Sequence, residues 1–253
     1  MRILLTNDDG IHAPGILALK RALDSIGEVF MIAPERARSA AGHAITLHKP
    51  LRCSQVKVTE DINGFAVSGT PTDCVNIGVE IVMENRCDMI VSGVNHGSNL
   101  GWDVTYSGTV AAALEGATLN IPSIAVSLDS HGSANTLDFT PAAEFTVTLV
   151  EKMNRFGIAP HSLLNVNVPN LPAKEIKGIK IAFQGEREYI ERVAVSKDPN
   201  NRPYYWQAGK VKPGISPEGS DVSAVESGCI SVTPIHLDMT NYLLLEKMSQ
   251  WGL

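Results

Sequence analysis

Short apolar runs rich in β-branched residues alternate along this chain with longer stretches in which apolar side chains recur every three or four positions. Arg2 to Thr6 is the first such run, a buried strand that stops at Asn7-Asp8-Asp9-Gly10. Pro14 then opens a helical pattern through Ile16, Leu17, Leu19 and Leu23, with Gly27 as its stop, and Val29 to Ala33 forms a second buried strand closed by Pro34. A strand–helix–strand unit of this length predicts a parallel pair with a right-handed crossover. Thr46 to Val67 alternates as extended chain around a hairpin turn at Asp61-Ile62-Asn63-Gly64. Thr70-Pro71-Thr72-Asp73 caps a helix through Val75, Ile77, Val79 and Val82. Further strands are predicted at Asp88–Ser92, Ile124–Val126 and Leu163–Val168, and helices from Ser107 to about Thr118 and from Phe139 to Phe156, with a long loop from Gly93 to Tyr106.

After Ile181 the texture changes to short extended segments separated by Pro199-Asn200-Asn201 and Pro217-Glu218-Gly219. A last helix is expected to hold Leu243, Leu244, Met248 and Trp251. The pattern predicts a doubly wound, mostly parallel α/β core over residues 1–185 and a β-rich extension over 186–253. That extension lacks the apolar continuity for a core of its own, so it is expected to pack on another subunit, giving a dimer or a dimer of dimers.

Composition narrows the function classes. The 253 residues are 44% hydrophobic and 19% charged, ample for a globular core, and the net charge of -6 argues against a protein that coats a nucleic-acid duplex. Cys53, Cys74, Cys87 and Cys229 show no C-x-x-C spacing, as expected of reduced thiols in a cytoplasmic protein. The first residues already read as a strand rather than a signal peptide, and no apolar run is long enough to span a membrane. A soluble cytoplasmic enzyme is the expectation.

Ligands of open α/β sheets bind beyond the carboxyl ends of the parallel strands. There the chain places Asp8 and Asp9 where a dinucleotide-binding protein carries a glycine-rich turn. Adjacent acids repel each other, and a divalent cation is their natural stabiliser. The same tetrapeptide also makes an ordinary turn. Two more loops converge on this edge by topology, bringing the Ser39 hydroxyl and the Asn95 amide oxygen. Two carboxylates, a hydroxyl and an amide form an oxygen-only set, suited to Mg²⁺, Mn²⁺ or Ca²⁺. Ser107-Gly108-Thr109 opens a helix, and its N–H groups and hydroxyls could bind a phosphate, although Ser107 could equally be a plain helix cap.

Longer blocks carry a specific resemblance. Asn7-Asp8-Asp9-Gly10 with His12-Ala13-Pro14-Gly15, Ala33-Pro34-Glu35-Arg36 with Ser39, and Gly69-Thr70-Pro71-Thr72-Asp73-Cys74-Val75 resemble the SurE family. So do Val91-Ser92-Gly93-Val94-Asn95-His96-Gly97, Tyr106 to Ala113, and Ser231-Val232-Thr233-Pro234. The resemblance implies a divalent-metal-dependent phosphatase acting on nucleoside monophosphates, a 5′/3′-nucleotidase. It implies a single cation held by Asp8, Asp9, Ser39 and Asn95, and Asp8 or Asp9 as general base. The implied fold is a Rossmann-like core whose C-terminal arm is exchanged between the subunits of a homodimer or homotetramer. Ala40-Ala41 depart from the glycine that many relatives carry after the serine, with Gly42 as the flexible substitute.

Rival readings remain at this level. A covalent aspartyl-phosphate enzyme would show Asp-x-Asp after the first strand, and here Gly10 stands two positions beyond Asp8. A nucleoside hydrolase also holds a cation with acids after its first strand, and a nucleotide sensor would bind without turnover. His96 adjoins Asn95 in the expected site, while His12, His43, His48, His131, His161 and His236 lack ligand spacing. Arg36 and Arg38 are candidate substrate contacts, and Tyr204, Tyr205 and Trp206 a candidate stacking platform for a base.

Overall fold

The computed structural model describes residues 1–130, 136–207, 209–212, 214 and 216–252. The chain opens with β1 (Arg2–Thr6), α1 (Pro14–Leu23), β2 (Glu28–Pro34), the antiparallel hairpin β3 (Cys53–Lys57) and β4 (Asn63–Val67), and α2 (Pro71–Ile77). It continues through β5 (Met89–His96), α3 (Gly108–Thr118), β6 (Ser123–Asp129), α4 (Thr140–Phe156), β7 (Ser162–Pro169) and β8 (Ile179–Ile181). Then come β9 (Tyr189–Ile190), β10 (Val193–Lys197), β11 (Pro203–Gln207), β12 (Lys210–Val211), α5 (Asp221–Glu226), β13 (Ile230–His236) and α6 (Tyr242–Met248).

Nine strands form one sheet in the order β3-β4-β2-β1-β5-β6-β7-β13-β8. From β4 to β7 every neighbouring pair is parallel. The chain winds outward from β1 through β2 to β4, then crosses back to β5 on the other side of β1. The reversal of strand order therefore lies between β1 and β5, where an open α/β sheet parts to leave a crevice.

Both faces of the sheet are covered, which is why its strands read as continuous apolar runs. Ile3 and Leu5 pack with Ile16, Leu19 and Leu23 of α1 and with Ala142 and Val150 of α4. Leu4, pointing the other way, packs with Ile32, Ile90, Val75 of α2 and Ala112 of α3. Among the described residues no helix is long and apolar enough to cross a membrane.

The structure departs from the predicted elements in five places. α1 ends at Leu23, short of Gly27, and Thr46 to Arg52 is irregular. α2 passes into a π-helical turn, Gly78–Val82, where Gly78 lets the helix close on the sheet: a β-carbon there would meet Leu4 at 2.5 Å. Trp251 lies beyond α6. The largest difference is β5, which does not stop at Ser92 but runs on to His96 with a register shift against β6 between Ser92 and Asn95. Gly93 and the polar residues after it look like loop in sequence. In space Gly93 has φ +140°, and a side chain would strike the Val126 carbonyl oxygen at 2.3 Å.

Within 186–253, α5 and β13 return to the core, β13 inserting between β7 and β8. The β10–β11 hairpin and the short β9–β12 pair stand outside the main sheet, and no residue of α6 is buried.

Candidate active site

The loop after β1 is built by Asn7. Its buried side chain donates to the Gly10 carbonyl at 3.0 Å and accepts from the Gly10 N–H at 3.1 Å, closing a tight turn. Gly10 has φ +100°, which a side chain would disfavour. Asn7 is thus scaffold, and the turn turns Asp8 and Asp9 toward the crevice. They line an open cleft of about 260 Å³ together with Ser39, Asn95 and Ser107.

The two acids are held differently. Asp8 is buried and accepts a 2.5 Å hydrogen bond from the Thr109 hydroxyl. With only protein groups around it, burial pushes its carboxyl up to about 6; the Asp9 charge adds to the rise, and the hydrogen bonds from Thr109 oppose it. Asp9 is half-buried and accepts from the His96 N–H at 3.0 Å. Neither acid has an ion-pair partner among the described residues. Two adjacent carboxylates, one of them buried, without a compensating cation leave a charge that a divalent ion would satisfy.

The neutral donors come from the other two loops. Asn95 is the penultimate residue of β5, and its side-chain N–H donates to the Gly97 carbonyl at 2.8 Å, leaving the amide oxygen for the cleft. Ser39 is exposed, on a loop tied down on both sides. The Arg38 N–H donates to the Asp8 carbonyl at 2.7 Å, and the Gly42 N–H to the Tyr106 carbonyl at 3.0 Å. His43 adds a 2.7 Å contact to Glu115 on α3, which holds the Glu115 carboxyl below its ordinary range. Ala40 lies in the left-handed region with φ +54°, the conformation that favours the glycine expected there, and Gly42 has φ +57°. Among the described residues no three His, Cys, Asp or Glu side chains gather as metal ligands. The donor set is two carboxylates with a hydroxyl and an amide, all oxygen, and it fits a hard cation.

The expected phosphate cradle divides. Ser107 lines the cleft and caps α3, its Oγ accepting from the Val110 N–H at 3.1 Å. Gly108 and Thr109 lie behind Asp8 instead. The Thr109 hydroxyl is taken by that carboxylate, and a β-carbon on Gly108 would come within 2.8 Å of Asp8 Oδ2. The first turn of α3 thus also backs an acid of the protein.

Several cleft residues carried no signal in the sequence. Asn99 is buried, its N–H donating to Asn167 Oδ1 at 2.7 Å and its carbonyl accepting from Asn165 and Asn167. These bonds pin the loop after β5. Asp103 and Ser98 also face the cleft, and Arg187 bonds both, at 3.0 and 3.4 Å. Lone Asp, Asn and Ser residues in a loop have no spacing to betray them. Conversely, Arg36 is exposed, and Arg38 donates to the Ser68 carbonyl at 2.9 Å. Neither lines the cleft. Tyr204, Tyr205 and Trp206 stand exposed on β11 and do not line the cleft of the acids. His96 lines the cleft as expected, and His131 lies outside the described residues.

Comparison with known proteins places the chain in a family. A family model described as "Survival protein SurE" matches residues 3–191. The 5′-nucleotidase SurE of Heliobacterium modesticaldum is 49% identical over 252 residues, covering 99% of this chain and 92% of that protein. The 5′-nucleotidase SurE of Geobacter sulfurreducens is 50% identical over 254 residues, covering 100% of this chain and 94% of the relative. The crystal structure of the SurE protein from Aquifex aeolicus is similar with a TM-score of 0.86 at 43% identity, over the full length of both chains. Sequence and fold agree along the whole length, and the chain belongs to the SurE family.

Proposed function

We propose that this protein is a divalent-metal-dependent nucleotidase that hydrolyses nucleoside monophosphates, at the 5′ or 3′ position, to nucleoside and phosphate. The observation that carries the reading is the meeting of Asp8, Asp9, Ser39 and Asn95 on one cleft, with no cationic partner for either acid among the described residues. The names of the relatives support the same activity.

A cation held by these four residues would supply Lewis-acid polarisation of a phosphate oxygen and a more acidic water. The protein groups do the rest. Thr109 and the His96 N–H fix the two carboxylates, so their geometry is set before substrate arrives. Asp9, half-buried and reaching the open cleft, is the better placed of the two to take a proton from an attacking water. The Ser107 hydroxyl uses its oxygen on the Val110 N–H and keeps its proton to donate to phosphate. No aspartyl-phosphate is required. The four cysteines are free, which suits the cytoplasm.

The part of 186–253 outside the core is read as an assembly segment. The β10–β11 hairpin exposes Trp206, α6 exposes Leu243 and the loop before α6 exposes Met239, surface that a second copy of the chain would cover, with exchange of the arm between subunits.

One assay tests the activity. The protein is incubated with Mn²⁺ and a purine nucleoside monophosphate, and free phosphate and free base are measured. Phosphate is the expected product. Free base would indicate a nucleoside hydrolase, and neither product a sensing module.

A further inference from the structure

Asp221, the first residue of α5, is fully buried, and it has no ion-pair partner among the described residues. Three backbone N–H groups satisfy its carboxylate instead. Oδ2 accepts from Gly101 at 2.9 Å, and Oδ1 accepts from Gly185 and from Val222, each at 2.8 Å. A buried charge is costly unless it is fully hydrogen-bonded, so its donors are held where it needs them.

Two of those donors are glycines far apart in sequence. Gly101 opens the 3-10 turn Gly101–Thr105 in the loop after β5, and Gly185 lies between β8 and β9. The two backbones are in close contact. Gly101 has φ +53°, and a β-carbon there would come within 2.9 Å of the Gly185 carbonyl oxygen. Gln184 completes the joint by donating to the Gly101 carbonyl at 2.8 Å. The apolar cluster at this joint is small, Leu100 with Val222 and Val225 of α5. Directional bonds to Gly101 therefore decide where the turn sits.

The turn leads straight into the wall of the acid cleft. The Asp103 N–H donates to the Leu100 carbonyl at 3.1 Å, the Tyr106 N–H to the Asp103 carbonyl at 3.0 Å, and the Ser107 N–H to the Val104 carbonyl at 3.4 Å. Asp103, Tyr106 and Ser107 all line that cleft. Each bond carries the placement of Gly101 one step closer to the Ser107 hydroxyl.

We propose that Asp221 is a positioning residue of the active site. It touches neither substrate nor cation, and by anchoring Gly101 it sets where Ser107 presents its hydroxyl to phosphate. The proposal rests on the nucleotidase reading and extends it to a helix in the segment that the sequence assigns to assembly.

The test is a double-mutant cycle between Asp221 and Ser107, which share no hydrogen bond. Asp221→Asn keeps the shape but turns an acceptor into a donor that faces an N–H, and Ser107→Gly removes the hydroxyl while leaving a tolerated helix cap. With AMP and Mn²⁺, Asp221→Asn should lower kcat/KM roughly tenfold to a hundredfold, while Mn²⁺ affinity stays near wild type. In the Ser107→Gly background the same substitution should cost about threefold or less. Costs that simply multiply, as a general loss of stability would give, overturn the proposal. So does wild-type kcat/KM in a folded Asp221→Asn. Should that variant not fold, Gln184→Ala takes its place: it loses one neutral bond to Gly101, should lower kcat/KM roughly twofold to tenfold, and should do so only when Ser107 is present. A cost that multiplies there overturns the proposal equally.

Inorganic phosphate titrated into the same Mn²⁺-loaded proteins repeats the cycle without turnover. If the wild type releases no phosphate from AMP, the nucleotidase reading fails, and the phosphate cycle alone decides the role of Asp221. If it releases phosphate and the costs multiply, the nucleotidase reading stands and this proposal fails.

Discussion

An ideal β-carbon on Gly108 would lie 2.7 Å from the Asp8 β-carbon and 2.8 Å from Asp8 Oδ2, so α3 can close on the acid loop only with glycine at its first position. Any side chain there must displace the buried acid or the helix. Gly108→Ala is therefore expected to weaken Mn²⁺ binding, by roughly tenfold to a hundredfold if overpacking costs about 1–3 kcal/mol. Calorimetric titration of the folded variant checks this. Wild-type Mn²⁺ affinity together with weakened phosphate inhibition would return Gly108 to the phosphate role read from sequence.

Metal dependence should run through the acid pair. EDTA is expected to abolish phosphate release, and Mn²⁺ or Mg²⁺ to restore it. Asp9→Asn removes a charged donor and should lower kcat/KM by at least the roughly 10–100-fold that loss of an outer ligand partner costs. Steady-state assays in chelator decide the matter: full activity there would rule out a cation in the reaction.

Asp8 makes the protein's stability depend on pH. Its carboxyl rises from 3.8 to about 6, chiefly through burial, so the folded state holds the proton more tightly than the unfolded chain does. The stabilisation is complete below about pH 4 and is lost as pH rises through about 6, a difference of about 3 kcal/mol for this group. In EDTA, Asp8→Asn should therefore be more stable than wild type at pH 8, with the gap closing toward pH 4. Urea melts of both proteins across that range give the answer, and parallel pH profiles would contradict it.

The Ser39 loop carries a correctable strain. Ala40 sits at φ +54°, where an L-residue costs about 1–2 kcal/mol and glycine loses about 0.5–1 kcal/mol in backbone entropy. Ala40→Gly should raise stability by roughly 0.5–1 kcal/mol with little change in Mn²⁺ affinity. A urea midpoint at or below that of wild type would show that the surrounding bonds, from Arg38 to Asp8 and from Gly42 to Tyr106, already relieve the residue.

Assembly is the outcome expected from exposed apolar surface. Met239 and Leu243 are 85% and 82% exposed, and α6 has no buried residue to hold it. Static light scattering at micromolar concentration should return a dimer or tetramer. A monomer alone would mean that these faces are tolerated in water.

What the sequence determined by itself is the series of elements and the acid turn. Strand runs, helical repeats and caps are local: Pro14 begins α1, Thr70 caps α2 with Asp73, and Ser107 caps α3, each within a few residues of what it controls. Because those elements order themselves as a doubly wound sheet, the loops after β1, β2 and β5 had to share one edge, which brought Asp8, Asp9, Ser39 and Asn95 within reach of prediction. The tertiary structure alone decided who touches whom. Thr109 meets Asp8 across 101 residues, and Arg187 meets Asp103 across 84. The glycine at 108 answers to an acid in the first loop, and the loop after β5 is pinned by asparagines on β7. Such pairings are fixed by the register of the sheet and the seating of each helix upon it, and no periodicity along the chain encodes them.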